Sequence, residues 1–225
     1  MTEMTNTELR QSIVHHCRQF APSGLSTGTS GNISARCAVE GETALLITPS
    51  GVDYAALRPD DLALMRLDGI WSGPLKPSSE WRFHRDIYAA RPDTGAVVHA
   101  HPTHATALAV QRRPIPAFHY MVAAAGGHDI RCAPYATYGT EELSKHALEA
   151  LQDRQACLLG NHGLIAIGPD LAQAFGLARE VEELSHQYLL ALMTGTPVLL
   201  DAAEMDRVLE KFKGYGANAQ LAMVR

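Results

Sequence analysis

The sequence predicts one α/β domain, and three observations carry that prediction. Short apolar or β-branched runs, bounded by Gly and Pro, alternate with stretches whose apolar residues recur every three or four positions. The chain has 225 residues, 46% of them hydrophobic, which is enough for one large core. No repeat, low-complexity tract or linker divides it, so the expected domain spans residues 1–225.

Along the chain, Leu9, Ile13, Val14 and Cys17 mark a helix from Thr7 to about Phe20, with Thr7 or Asn6 as N-cap. Pro22 and Gly24 end it. The loop TGTSGNISAR, Thr27 to Arg36, leads into a strand, and ALLITPSG, Ala44 to Gly51, is a strand with a turn behind it. DLALMRLDG, Asp61 to Gly69, is a further strand, closed by the hairpin signal Asp68-Gly69. Pro77, Ser78 and Ser79 open a helix that carries Trp81, Phe83, Ile87 and Tyr88 and stops before Pro92. A strand beginning near Ala96 follows, then a helix from His104 to Arg112. Periodicity does not decide between strand and helix for Ala117 to Ala125. Asp129 to Tyr135 is expected as a strand, and Thr140 to Leu151 as a capped helix. Ala156 to Gly168 gives two strands broken by Gly160-Asn161-His162-Gly163. Asp170 caps the longest helix, and a short amphipathic one spans Asp206 to Tyr215.

Charge excludes several function classes. Lys and Arg number 19 against 24 Asp and Glu, a net of −5, so nothing favours a nucleic-acid or membrane partner. No apolar run approaches the roughly 18 residues of a membrane span. The opening MTEMTNTELR lacks a charged-then-apolar leader, and cytoplasmic localisation is expected. Cys17, Cys37, Cys132 and Cys157 are scattered and are read as free thiols.

The chemistry concentrates in GAVVHAHPTH, Gly95 to His104. Side chains two apart on a strand share a face, so His99 and His101 present two imidazoles together. Such a pair suits zinc. His162, between glycines at a strand break, is the candidate third ligand, and Glu80 at a helix start the fourth. Spacing alone matches no common zinc motif and leaves core or solvated histidines as the other reading. Gly28 to Asn32, Ser50-Gly51 and Ser78-Ser79 have the composition of an anion cradle. Ordinary turns and an N-cap account for the same residues.

Seven motifs in register, GTSGNISAR, LLITPSGV, KPSSEWRFH, VVHAHPTH, FHYMVAAAGG, CAPYATYGT and LLGNHGLIAIG, resemble the class II aldolase/adducin family over nearly the whole chain. The resemblance implies a three-layer α/β/α sandwich with a mixed, mostly antiparallel central sheet. It implies a cyclic homotetramer with active sites between subunits. It further implies one Zn2+ per subunit, with Mn2+ or Co2+ as substitutes, held by His99, His101 and His162. Glu80 corresponds to the acid that ligates the metal at rest and then acts as base. The phosphate pocket corresponds to Gly31, Asn32, Ser50, Gly51, Ser78 and Ser79. Tyr120 corresponds to a proton donor given by a neighbouring subunit, Tyr138 to the aromatic beside it, and Tyr215 to a tyrosine on a C-terminal tail.

The implied reaction is reversible cleavage of a ketose 1-phosphate to dihydroxyacetone phosphate and a small aldehyde. L-fuculose 1-phosphate, 5-deoxypentulose 1-phosphates and methylthiopentulose 1-phosphates are the candidate substrates. Related 4-epimerases carry aspartate where this chain has Glu80. Dehydratases and decarboxylases of the same fold can keep the glutamate. The adducin branch, an interaction domain, lacks the metal ligands this chain retains.

Overall fold

The computed structural model describes residues 6–214. Eight strands form one sheet: β1 Asn32–Val39, β2 Glu42–Ile47, β3 Ala63–Arg66, β4 Trp71–Ser72, β5 Ala96–Ala100, β6 Arg131–Ala133, β7 Ala156–Leu159 and β8 Gly163–Gly168. Their spatial order is β4-β3-β2-β1-β5-β8-β7-β6. Every neighbouring pair is antiparallel except β6 and β7. The expected mixed, mostly antiparallel sheet is therefore observed.

Six helices cover it: α1 Asn6–Arg18, α2 Trp81–Ala90, α3 Thr103–Val110, α4 Glu141–Ala150, α5 Leu171–Thr194 and α6 Ala202–Gly214. Strand alternation sorts the core into two halves. Ile33, Ala35, Leu46, Val98 and Ala166 face α1, α3 and α5, while Leu45, Ile47, Val97 and Ile165 face α2 and α4. Helices on both faces of one sheet give the expected three layers.

Local chemistry sets the helix ends. Thr140 Oγ1 accepts the Leu143 N–H at 3.2 Å, and Asp170 Oδ1 accepts the Gln173 N–H at 2.8 Å. Some element boundaries differ from expectation, and the stretch that periodicity left undecided takes a third form. Asn6 and Thr7 lie inside α1 and do not cap it. The last helix starts at Ala202, where Asp201 Oδ1 accepts the Glu204 N–H at 2.7 Å. Ala117 to Ala125 contains neither strand nor α-helix but a 3-10 turn, Tyr120–Ala125, closed by Gly126 in the left-handed region.

Candidate metal centre

The sheet's two middle strands aim the site. On β5, Val97 and His99 point toward α2, and the His99 ring meets the Phe83 ring edge-on at 5.3 Å. His101 follows two residues later, just past the strand end. The turn between β7 and β8 supplies the third imidazole. Asn161 adopts φ 55° there, and its amide donates to Val110 O at 3.2 Å. The His162 N–H closes back on Leu159 O at 3.0 Å, which turns the side chain toward the pair on β5. Gly163 permits the approach, because a Cβ there would lie 2.4 Å from Ala100 O and 2.7 Å from His101 Cδ2.

Glu80 arrives from the first residue before α2. Its Oε2 lies 3.1 Å from His99 Nε2, and its Oε1 lies 3.2 Å from His162 Nε2. His101 Nε2 lies 2.8 Å from His99 Nε2. One ligand atom from each of Glu80, His99, His101 and His162 falls within 4.8 Å of the others. The three imidazole centroids are 4.7 to 4.8 Å apart. The four candidate ligands named from the sequence thus meet at one point.

Their hydrogen bonds identify what the point is built for. His99 Nδ1 sits 2.8 Å from Leu164 O, a group that only accepts, so that nitrogen carries the hydrogen. That bond turns Nε2 toward a carboxylate oxygen and another imidazole nitrogen, where its lone pair is free to bind a cation. Glu80 Oε1 is buried and has no hydrogen-bond partner. Such a convergence of electron-rich atoms can hold a cation between them. Three nitrogens and one carboxylate oxygen form a donor set suited to zinc.

Electrostatics tie the same residues together. Burial pushes the Glu80 carboxyl up, but positive charge and N–H donation from the adjoining His99 and His162 outweigh it and hold it well below the usual carboxylate range; a divalent cation at that point would act in the same direction. Burial, aided by His99 and His162, brings His101 down to about 3, so it is a neutral ligand at ordinary pH. Burial likewise brings His84 down to about 3.

Beside the cluster is a cleft of about 370 Å³. Gly31, Asn32, Ser50, Gly51, Ser78, Ser79 and Tyr138 all line it. Gly31 has φ 84°, and a Cβ there would meet His99 O at 2.8 Å, so the loop packs against β5. The Ser50 N–H is bonded to Lys76 O and the Ser78 N–H to Thr48 O, which leaves these two serines to offer hydroxyls. The Asn32 amide joins Glu80 Oε2 to His84 at the cleft floor. Thr29, part of the anion cradle expected from the sequence, also borders the cleft, as do Tyr135 and Asn161, which were not named as site residues.

One predicted residue lies elsewhere, and one falls outside the described residues. Tyr120 is 51% exposed and borders a different groove, with Phe118, Met121 and Phe212. Tyr215 lies outside the described residues. His104 is held by Glu182 at 2.7 Å and stacks on His186, with ring centroids 4.1 Å apart.

Comparison with known proteins matches residues 11–189 to the Class II Aldolase and Adducin N-terminal domain. A Rhodospirillum rubrum protein called 5-methylthioribulose-1-phosphate/5-deoxyribulose-1-phosphate aldolase is 57% identical over 213 residues, covering 95% of each chain. An Escherichia coli L-fuculose phosphate aldolase is 47% identical over 215 residues, covering 95% of this chain and 98% of that one. Among solved structures, an L-fuculose 1-phosphate aldolase superposes with a TM-score of 0.88 at 41% identity, over 95% of this chain and all of that one.

Proposed function

The chain belongs to the class II aldolase and adducin family and is a class II aldolase of ketose 1-phosphates, and from that premise we propose how its residues divide the work. Glu80, His99, His101 and His162 hold one zinc ion. The observation that carries this is the meeting of their ligand atoms within 4.8 Å, with Glu80 Oε1 beside His162 Nε2 but outside hydrogen-bond geometry. A divalent metal there supplies Lewis-acid stabilisation for the negative charge that C–C cleavage leaves on the ketone half.

The chain's own groups do the rest. In the addition direction, a Glu80 carboxylate oxygen takes the proton from the phosphorylated three-carbon ketone. Gly31, Asn32, Ser50, Gly51, Ser78 and Ser79 bind the phosphate away from the reacting bond, which orients that bond. Tyr120 of a neighbouring subunit returns a proton to the new alkoxide. Its half-exposed position, outside this chain's own cleft, supports a role across an interface in a homotetramer. Tyr215, which corresponds to the family's C-terminal tyrosine, is a further substrate-binding residue.

Tyr135, Ala136 and Tyr138 line the cleft, so part of its wall is aromatic and methyl surface. That wall suits an aldehyde ending in a methyl or methylthio group. We take 5-methylthioribulose 1-phosphate and 5-deoxyribulose 1-phosphate as substrates, with L-fuculose 1-phosphate as a poorer one; the 57% identity to the Rhodospirillum rubrum aldolase supports the same order. One domain over residues 1–225 carries the activity, and four free cysteines fit a reducing cytoplasm. No helix among the described residues is long and apolar enough to cross a membrane.

Measuring kcat/KM for the three ketose 1-phosphates, with dihydroxyacetone phosphate as the product assayed, tests the proposal. The expected order places the methylthio and 5-deoxy sugars first. Epimerised or dehydrated product, without cleavage, would overturn the assignment of the reaction.

A further inference from the structure

Beneath Glu80 a line of buried polar side chains runs away from the cleft toward α2. Asn32 Nδ2 is 3.0 Å from Glu80 Oε2, and Asn32 Oδ1 is 2.5 Å from His84 Nε2. His84 Nδ1 is 2.6 Å from Ser34 Oγ, which is 2.9 Å from the Tyr88 hydroxyl. Asn32, Ser34, His84 and Tyr88 are each no more than 3% exposed. Polar groups so deep in a core destabilise the fold unless every one is satisfied.

The direction of each bond follows from one fact. An ionised carboxylate only accepts, so Asn32 must turn its N–H toward Glu80 and its carbonyl toward His84. His84 Nε2 therefore carries the hydrogen, and the neutral ring accepts at Nδ1. Ser34 donates to that nitrogen, and its oxygen accepts from the Tyr88 hydroxyl. Every donor in the line points toward the metal centre, and none can reverse without leaving two like groups facing each other.

We propose that Tyr88, Ser34, His84 and Asn32 form a one-way hydrogen-bond chain that fixes Glu80 Oε2 as an acceptor and leaves Oε1 as the atom that takes the substrate proton. Oε1 is the buried atom with no hydrogen bond, on the side of His162. Asn32 touches Glu80, while His84, Ser34 and Tyr88 are positioning residues that act through it. Their arrangement is written in the strand period. Asn32 and Ser34 share one face of β1, and His84 and Tyr88 lie one turn apart on the facing side of α2.

The proposal rests on Glu80 being the base, and the test separates the two. Long-range proton–nitrogen correlation spectra of the histidine-labelled, zinc-loaded protein report the His84 tautomer directly. The chain requires hydrogen at Nε2. Hydrogen at Nδ1 overturns the chain whatever the base is. Ser34→Ala, a deletion of one buried oxygen, is expected to mix the His84 tautomers and lower kcat about ten-fold, the effect of one hydrogen bond to a charged network. KM and metal content should stay at parental values, since neither the phosphate loops nor the ligands change. Tyr88→Phe, one link further off, should lower kcat by only about two- to three-fold. Parental kcat in Ser34→Ala would overturn the proposal. Wild-type turnover in Glu80→Gln would instead remove its premise.

Discussion

Oε1 of Glu80 lies 3.2 Å from Nε2 of His162, although one residue precedes the second helix and the other sits in a turn between two strands of the sheet's far half. This contact ties the proposed base to a proposed metal ligand. It predicts that changes at the two residues have separable effects. Glu80→Gln keeps an oxygen beside the imidazoles and should retain most bound metal, yet lose about 10³-fold in turnover, because an amide is not a base. His162→Ala removes a nitrogen ligand outright and should lose the metal itself. Metal analysis alongside steady-state kinetics distinguishes these outcomes.

Gly163 carries a second prediction. A Cβ at this position would sit 2.4 Å from the Ala100 carbonyl and 2.7 Å from the His101 ring. Gly163→Ala should therefore force β5 and β8 apart and displace a ligand, with destabilisation of about 1–3 kcal/mol. Gly176, exposed on α5 with nothing within 4 Å of an added Cβ, is the contrasting case. Gly176→Ala should raise stability by about 0.5–1 kcal/mol through helix propensity. Calorimetric melting of both variants, with metal content measured for the first, checks the pair.

Tyr120 predicts an assembly. If it acts on a neighbour's metal centre, Tyr120→Phe and Glu80→Gln should each be nearly inactive alone. Mixed, denatured and refolded together, they should regain activity in about a quarter of the sites, those pairing an intact Glu80 with an intact Tyr120 across a cyclic interface. Absence of any regain would place the tyrosine's role within its own subunit.

The thiols give a pH dependence. Burial pushes Cys37 and Cys132 up to about 11, and pushes Cys17 and Cys157 higher still. The thiolate is the reactive form, so alkylation of the folded protein should be slow at pH 7.5. It should keep rising about ten-fold per unit beyond pH 9, where free cysteine levels off. The sign for stability follows: the unfolded chain releases these protons first, so the contribution is full below about pH 9 and declines above it. Alkylation rates of native and urea-unfolded protein, read by mass spectrometry, test this.

Much of the centre was legible because its geometry is local. Alternation along AVVHAHP puts His99 and His101 on one face, and a histidine between glycines at a strand break is aimed by its turn. The three-layer sandwich and its mostly antiparallel sheet also followed from the family motifs. Glu80 was harder, since nothing in its own segment says which strands α2 will cover. Nothing in its own segment marks His84, which is buried and hydrogen-bonded on both ring nitrogens. Its partners lie on another strand, so the alternation Asn32, Ser34, Arg36 gained meaning only once β1 was placed under α2. The Ala117 to Ala125 stretch was unreadable because a 3-10 turn has neither of the two periods that patterning detects.

Anomalous X-ray scattering from crystals of the zinc-loaded protein tests the central claim most directly. A single strong zinc-edge peak per subunit is expected, enclosed by the Glu80 carboxylate and the Nε2 atoms of His99, His101 and His162. A peak bound by other residues, or no peak among these four in the loaded protein, would contradict it.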